Sequence, residues 1–312
     1  MAGVAWLFPG QGSQFVGMGK DVLEASPAAR EVFARADAAL GEPFTKLVLE
    51  GPEATLTLTA NAQPALVTVS CAVLAAIRER NPDLLAPAFS AGHSLGEYSA
   101  LVATGALSFA DAVRTVRVRG KAMQDAVPPG AGAMAAIMGL EPDVIDALCK
   151  QGAQGEVVSP ANFNAPGQIV IAGTAAAVAR VSDLVSVAKG KAIPLKVSAP
   201  FHCALMAPAA RALQAELGKI AISPLAFPVV HNVDAKPNTD AAAVKDRLVR
   251  QVDGAVRWEH AVRFMVERGV THALEIGPGK VLAGLCKRIA KELKVMSVGD
   301  VASLDRVEAF FS

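Results

Sequence analysis

Ala88-Phe89-Ser90-Ala91-Gly92-His93-Ser94-Leu95-Gly96-Glu97-Tyr98-Ser99-Ala100-Leu101-Val102 reads as a strand, a tight turn and a helix in succession. A G-x-S-x-G pentapeptide in that setting needs both glycines, because the backbone turns so sharply that a Cβ at either flank would collide. The turn leaves the hydroxyl of Ser94 exposed above the sheet, with the helix N-terminus beneath it. That helix dipole and the free N–H of Leu95 would favour an oxyanion formed when Ser94 attacks a carbonyl. A serine that merely caps a helix would explain Ser94 but not the two flanking glycines.

Working outward, apolar runs of strand length alternate with amphipathic stretches of helix length, the pattern of a parallel sheet covered by helices on both faces. The fold class is α/β. Strands are expected at Val4 to Phe8, Ala88 to Gly92, Pro228 to His231 and Thr271 to Ile276, with helices such as Pro64 to Arg80 and Phe109 to Ala126 between them. Val127-Pro128-Pro129-Gly130 and Ser198-Ala199-Pro200 break the chain, and the segment between them reads as an inserted unit. Inside it the order is strand (Ala133 to Leu140), helix (Asp143 to Gln151), strand (Glu156 to Asn162), strand (Gln168 to Ala172), helix (Ala175 to Ala188) and strand (Ala192 to Val197). That βαββαβ order is ferredoxin-like. Asn164-Ala165-Pro166-Gly167 suits a hairpin between the middle strands. The expected division is therefore residues 1–127 with 199–312 as the large domain and 128–198 as the subdomain.

With 30 basic and 29 acidic residues in 312, the formal net charge is +1, so no bulk field draws the chain toward nucleic acid. Hydrophobic residues at 52% and charged residues at 19% exclude a disordered chain and allow a large core. Cys71, Cys149, Cys203 and Cys286 lie far apart with no C-x-x-C, which argues against a zinc site or a disulfide framework and suits a reducing cytoplasm. The apolar start Val4 to Phe8 is cut short by Pro9-Gly10 and lacks the charged region of a signal peptide. The long uncharged stretches 54–77 and 157–179 carry Asn, Gln and Pro inside them, so no membrane association is expected.

A serine nucleophile needs a general base. His93 should project away from its neighbour Ser94, His260 lies on a charged helix, His272 begins an apolar strand and His231 ends one, leaving it in reserve. His202, just where the chain returns from the inserted unit, is the best candidate. No acid stands out as a third member among Asp111, Asp183, Asp234 and Asp253, and a backbone carbonyl could orient the imidazole instead, since the requirement is an acceptor for the second ring N–H. On the helix after Phe109, Arg114, Arg117 and Lys121 share one face, whereas Arg119 falls with Ala112, Thr115, Val116, Ala122, Met123 and Ala126. An inward guanidinium needs an anion, either a substrate carboxylate or an internal partner. Gly10-Gln11-Gly12-Ser13-Gln14 follows the first strand and lacks the features of a nucleotide loop, but it can supply a second oxyanion donor. Gly277-Pro278-Gly279 reads as a structural turn.

Six stretches together carry a resemblance: Phe8-Pro9-Gly10-Gln11-Gly12-Ser13-Gln14, Gly92-His93-Ser94-Leu95-Gly96-Glu97-Tyr98, Arg119-Gly120-Lys121-Ala122-Met123-Gln124, Asn162-Phe163-Asn164-Ala165-Pro166-Gly167-Gln168, Phe201-His202-Cys203-Ala204-Leu205-Met206 and Glu275-Ile276-Gly277-Pro278-Gly279. In this order and spacing the chain resembles the malonyl-CoA:acyl carrier protein transacylases of bacterial fatty acid synthesis. The resemblance implies a large α/β-hydrolase-like domain interrupted by a ferredoxin-like subdomain, with the active site between them. It implies Ser94 as nucleophile, His202 as base and then acid, the backbone carbonyl of Gln251 as the group orienting His202, and the amides of Gln11 and Leu95 as the oxyanion hole. Arg119 falls on the arginine that binds the malonyl carboxylate, Asn162 on a cleft position, and Phe201 on a position whose bulk selects malonyl, where bacterial members often carry serine.

The expected reaction is a ping-pong transfer of malonyl from malonyl-CoA to the phosphopantetheine thiol of an acidic acyl carrier protein, with no bound metal or cofactor. The expected setting is a cytoplasmic monomer. Arg247, Arg250, Lys189, Lys191, Lys287 and Arg288 are candidates to receive the carrier protein. The competing readings are a serine thioesterase or esterase with the same elbow, which a hydrolysis assay without thiol acceptor would reveal, and a non-catalytic carrier-protein-binding domain.

Overall fold

The computed structural model describes residues 3–84 and 86–311 and shows a mixed α/β protein built on two sheets. β1 (Gly3–Phe8) leads through α1 (Lys20–Ala25), α2 (Pro27–Leu40), α3 (Phe44–Glu50) and α4 (Glu53–Thr57) into the long α5 (Thr59–Arg80). β2 (Phe89–Gly92), α6 (Gly96–Ala103) and α7 (Phe109–Asp125) follow. A second unit then runs β3 (Gly132–Met138), α8 (Pro142–Ala153), β4 (Val158–Ala165), β5 (Gln168–Thr174), α9 (Ala175–Val187) and β6 (Lys191–Pro194). The chain returns through α10 (Ala207–Leu217), β7 (Val229–Val230), β8 (Pro237–Asn238), α11 (Val244–Asp253), α12 (Trp258–Glu267), β9 (Val270–Ile276), α13 (Val281–Ile289), β10 (Lys294–Val298), α14 (Val301–Leu304) and α15 (Val307–Phe311).

The six-stranded sheet has the order β10-β9-β1-β2-β7-β8, parallel except for β8. Because β1 and β2 are parallel neighbours, in register from Ala5 opposite Phe89 to Phe8 opposite Gly92, their following loops emerge side by side at the carboxyl edge, where ligands of α/β sheets collect. Apolar side chains fill both faces: Trp6, Phe8, Leu66, Val69 and Val116 belong to one core, and Leu7, Trp258, Val262 and Leu282 to the other. The smaller sheet is antiparallel with the order β4-β5-β3-β6, and its core of Ile137, Ile145, Ile171 and Val181 lies against α8 and α9.

The expected elements are present, with differences that have local causes. The helix anticipated from Pro64 begins at Thr59, with Pro64 inside its early turns. The strand anticipated to stop at Asn162 runs to Ala165, because register shifts between Pro160 and Asn162 and between Phe163 and Ala165 break the period of two that marks a strand in sequence. The last strand of the smaller sheet closes at Pro194 rather than Val197. β8 and β10 were not anticipated. α5 is long and apolar enough to cross a membrane by length and composition, yet 89% of its apolar window lies inside the protein, where its residues join the same core as α2 and α7.

The smaller sheet is tied by backbone to the segment between α11 and α12: Phe163 N–H donates to Val256 O (2.8 Å) and Val256 N–H to Ala161 O (2.9 Å). A cleft of about 440 Å³ lies between the two sheets, walled by the loops after β1 and β2 on one side and by Met134, Asn162 and Val170 on the other.

Candidate active site

The turn after β2 is as tight as its sequence implies. A Cβ on Gly92 would lie 2.0 Å from the carbonyl carbon of Gly96, and one on Gly96 2.3 Å from the carbonyl oxygen of Phe8. Ser94 between them sits at φ 52, in the left-handed region that a non-glycine residue enters only when its surroundings hold it there. The holding contacts are visible. Ser94 N–H donates to Asn232 Oδ1 (2.6 Å), and Ser94 O accepts from Gln251 Nε2 (2.9 Å).

Ser94 Oγ stands 2.8 Å from His202 Nε2, and His202 Nδ1 stands 2.8 Å from the carbonyl oxygen of Gln251. A carbonyl only accepts, so Nδ1 carries the proton and Nε2 faces the hydroxyl as an acceptor. His202 has φ 60 and is buried. Burial, and next the charge of Arg119, pull its pKa down to about 3, so the imidazole is neutral at ordinary pH and able to take a proton.

Arg119 projects from the inward face of α7 and is 1% exposed. Its Nη1 donates to Gln63 Oε1 (2.8 Å), and its Nη2 donates to Gln251 Oε1 (2.9 Å) and to Ser94 Oγ (3.0 Å). Among the described residues no carboxylate pairs with it, and its Nε has no hydrogen-bond partner. Burial lowers its pKa, opposed in part by Tyr98 and by the charge of Glu97. The other cations of α7 face outward: Arg114 pairs with Asp111 at 2.8 Å and Arg117 with Glu42.

Gln11 lines the cleft, its Nε2 donating to Thr59 Oγ1 (3.2 Å). Neither Gln11 N–H nor Leu95 N–H donates to any acceptor among the described residues, so both amides are free to bind something else. Asn162 and the half-buried Phe201 also line the cleft.

The remaining histidines are engaged elsewhere. His93 Nε2 pairs with Asn164 Oδ1 (2.9 Å), with its ring 5.7 Å from that of Trp258. His260 packs on Phe163, and His272 on Phe310 and Phe311. His231, the reserve candidate for the base, is fully buried against Glu97 (2.6 Å) rather than Ser94. Sequence reasoning did not single out Gln63, Asn232, Asn164 or Glu97 as site groups. Only Glu97 carried a local signal, an acid in the apolar run of α6 one turn after Ser94. Among the described residues no group of three His, Cys, Asp or Glu side chains could hold a metal ion.

A neutral imidazole beside a serine hydroxyl, with unpaired amides nearby, is equipped for acyl transfer, and the acyl transferase domain family matches residues 5–306 of the chain. The malonyl CoA-acyl carrier protein transacylase of Salmonella typhimurium is 50% identical over 97% of this chain and 98% of its own length. The acyl carrier protein S-malonyltransferase of Vibrio cholerae superposes with a TM-score of 0.95 at 48% identity, covering 98% of this chain and all of that one. A malonyl-transacylase solved in complex with a type II PKS acyl-carrier protein superposes with a TM-score of 0.94 at 49% identity, covering 98% of each chain. The chain belongs to the malonyl CoA-acyl carrier protein transacylase family of acyl transferases.

Proposed function

We propose that this enzyme moves the malonyl group from malonyl-CoA to the phosphopantetheine thiol of an acyl carrier protein through a malonyl ester on Ser94. Ser94 Oγ attacks the thioester carbonyl while His202 Nε2 takes the hydroxyl proton, and the amides of Gln11 and Leu95 receive the oxyanion. Collapse breaks the carbon–sulfur bond, and the CoA thiolate leaves with the proton from His202. The carrier-protein thiol then gives its proton to His202 and attacks the ester carbonyl. The second intermediate releases Ser94, whose oxygen recovers the proton. The carbonyl of Gln251 keeps the imidazole in the tautomer both halves need.

The observation that carries the choice of acyl group is Arg119, a buried guanidinium without a carboxylate partner, 3.0 Å from the nucleophilic oxygen. A malonyl carboxylate supplies the directly bonded anion that Arg119 lacks, in a planar two-point pair, and fixes the carbonyl over Ser94. An acyl group lacking it leaves the guanidinium unpaired. Phe201 beside His202 limits room for a branch at the malonyl methylene, and Asn162 lines the same cleft.

We read the large sheet as an α/β-hydrolase-like domain of residues 1–127 and 199–312, and residues 128–198 as a ferredoxin-like subdomain inserted in it. The βαββαβ order and the antiparallel strand order of the smaller sheet support that reading. The four buried, unpaired thiols suit a reducing cytoplasm.

The test is intact mass after brief exposure to malonyl-CoA, with acetyl-CoA as control donor. The parent is expected to gain one malonyl group that is absent in Ser94→Ala and fades in Arg119→Ala. Free malonate accumulating without an adduct or acceptor would establish a hydrolase instead, and no adduct with no turnover would leave a binding domain.

A further inference from the structure

Glu97 is a fully buried acid outside the proton path, yet it joins every group that holds Ser94 in its strained conformation. Its Oε2 accepts from the backbone N–H of Asn232 (2.9 Å) and from Gln251 Nε2 (2.9 Å). Its Oε1 lies 2.6 Å from His231 Nδ1. Asn232 is fixed at its other end by Nδ2 donating to Gly92 O (2.7 Å), and its Oδ1 receives Ser94 N–H. Gln251 Nε2 also reaches Ser94 O, while its Oε1 receives Arg119 Nη2. Both backbone groups of Ser94 and one arm of the guanidinium are therefore set by two amide side chains whose shared anchor is this carboxylate.

The far side of His231 fixes its protonation. Asn238 Nδ2 donates to Asp240 O (2.9 Å) and its Oδ1 accepts from Asp240 N–H (3.0 Å), which orients the amide. The N–H₂ end then faces His231 Nε2 at 3.3 Å, so that nitrogen accepts and the ring proton sits on Nδ1. A ring with a single N–H is neutral. Glu97, which receives three donors and gives none, is then an uncompensated anion in the core except for Arg119, reached through Gln251. A buried charge without such compensation is strongly disfavoured.

We propose that Glu97, oriented by His231, is a positioning residue for acyl transfer: its carboxylate sets the Ser94 backbone through Asn232 and Gln251 and serves, across the Gln251 amide, as the counter-charge of Arg119. The inference rests on the acyl transfer proposed above, whose own control is the parent's malonyl adduct at Ser94. A parent without that adduct overturns the proposed function itself, whereas the variants below address Glu97 alone.

In Glu97→Gln the new amide turns an N–H toward one of three donors, and a tautomer change at His231 would only turn its Nε2–H against the fixed Asn238 amide. The misplacement falls on the nucleophile, and a shift of that kind costs about 10- to 100-fold in turnover. Kinetics of malonyl transfer are normalised to the fraction of protein that accepts malonyl in the mass experiment, so loss of folded enzyme does not register. The expected result is a fall in kcat of about 10- to 100-fold per competent site. KM for malonyl-CoA is expected not to rise, because Arg119 has lost only a competing anion. A loss accounted for wholly by fewer competent sites, or a raised KM with unchanged kcat, overturns the proposal. Should Glu97→Gln fail to accumulate, His231→Asn, which retains a donor toward Glu97, is compared with His231→Leu, which does not. Normalised kcat at least fivefold lower in His231→Leu supports the role, and equal values overturn it.

Discussion

At the proposed catalytic pair of Ser94 and His202, two buried groups oppose each other. Arg119 beside Ser94 helps keep His202 unprotonated, the state the proposed base needs, and pairing with a malonyl carboxylate, as proposed, would remove part of that field. The imidazole should therefore gain basicity when substrate binds, as the later role of acid requires. For the free enzyme, reported by kcat/KM, the acid limb of malonyl transfer is expected below pH 5, well under the ordinary histidine value of 6.5. The limb in kcat should lie higher than the limb in kcat/KM. A kcat/KM midpoint at 6.5 or above would remove this account. The same shift acts on folding: between 6.5 and about 3 the unfolded chain binds a proton that folded His202 does not. Its contribution to stability is thus present above 6.5 and lost as pH falls toward 3. Arg119→Ala should cost malonyl transfer about 3 kcal/mol, roughly 100-fold in kcat/KM, with less effect on the slow reaction of acetyl-CoA.

Among the elements, the strand-to-helix turn shows why some of the site was legible in the sequence and some was not. Ser94, His202 and Arg119 each carry a local mark: a glycine-flanked pentapeptide, the point where the chain returns from an inserted unit, and a charge on the wrong phase of an amphipathic helix. Gln63, Asn232 and Glu97 reach the same place from α5, the loop after β7 and α6, and no spacing within one segment encodes a meeting of three. β8 and β10 escaped for a different reason: Pro237–Asn238 holds no apolar strand former, and Lys294–Val298 is an only partly buried edge strand with no alternation of burial along it. Within the turn itself the glycines make a direct test. Gly92→Ala places a methyl within 2.0 Å of main chain that cannot move without shifting α6, and should cost at least about 3 kcal/mol. Gly284→Ala, in helix α13 with nothing within 4 Å, should add roughly 0.5–1 kcal/mol instead. Thermal melts of the two variants should move in opposite directions, and a neutral Gly92→Ala would mean that the turn is not held by that contact.

Across the whole molecule a net charge of +1 offers no long-range pull on an acidic carrier protein, so attraction must come from a local patch. Several of the candidate cations are already engaged: Arg247 with Asp234, Arg250 with Asp246, and Arg288 with Gln168 and the carbonyl of Pro166. Lys189, Lys191 and Lys287 are exposed and make no ion pair among the described residues. Lys189 and Lys191 flank the start of β6, the edge strand of the smaller sheet. The chain leaving that strand, Leu195 to Ser198, lines the cleft. The lysines lie at the far end of β6 from that lining, about 13 Å of strand away, so an acidic partner held there would reach the opening through its extended pantetheine arm. The charge reversal Lys189→Glu with Lys191→Glu is therefore expected to raise KM for the carrier protein about fivefold while leaving transfer to free pantetheine unchanged, since the small thiol uses the cleft alone. Rising salt should weaken the parent's use of carrier protein but much less that of the double variant, because the screened attraction is already gone. Equal KM values and equal salt responses in the two proteins would move the docking surface away from β6.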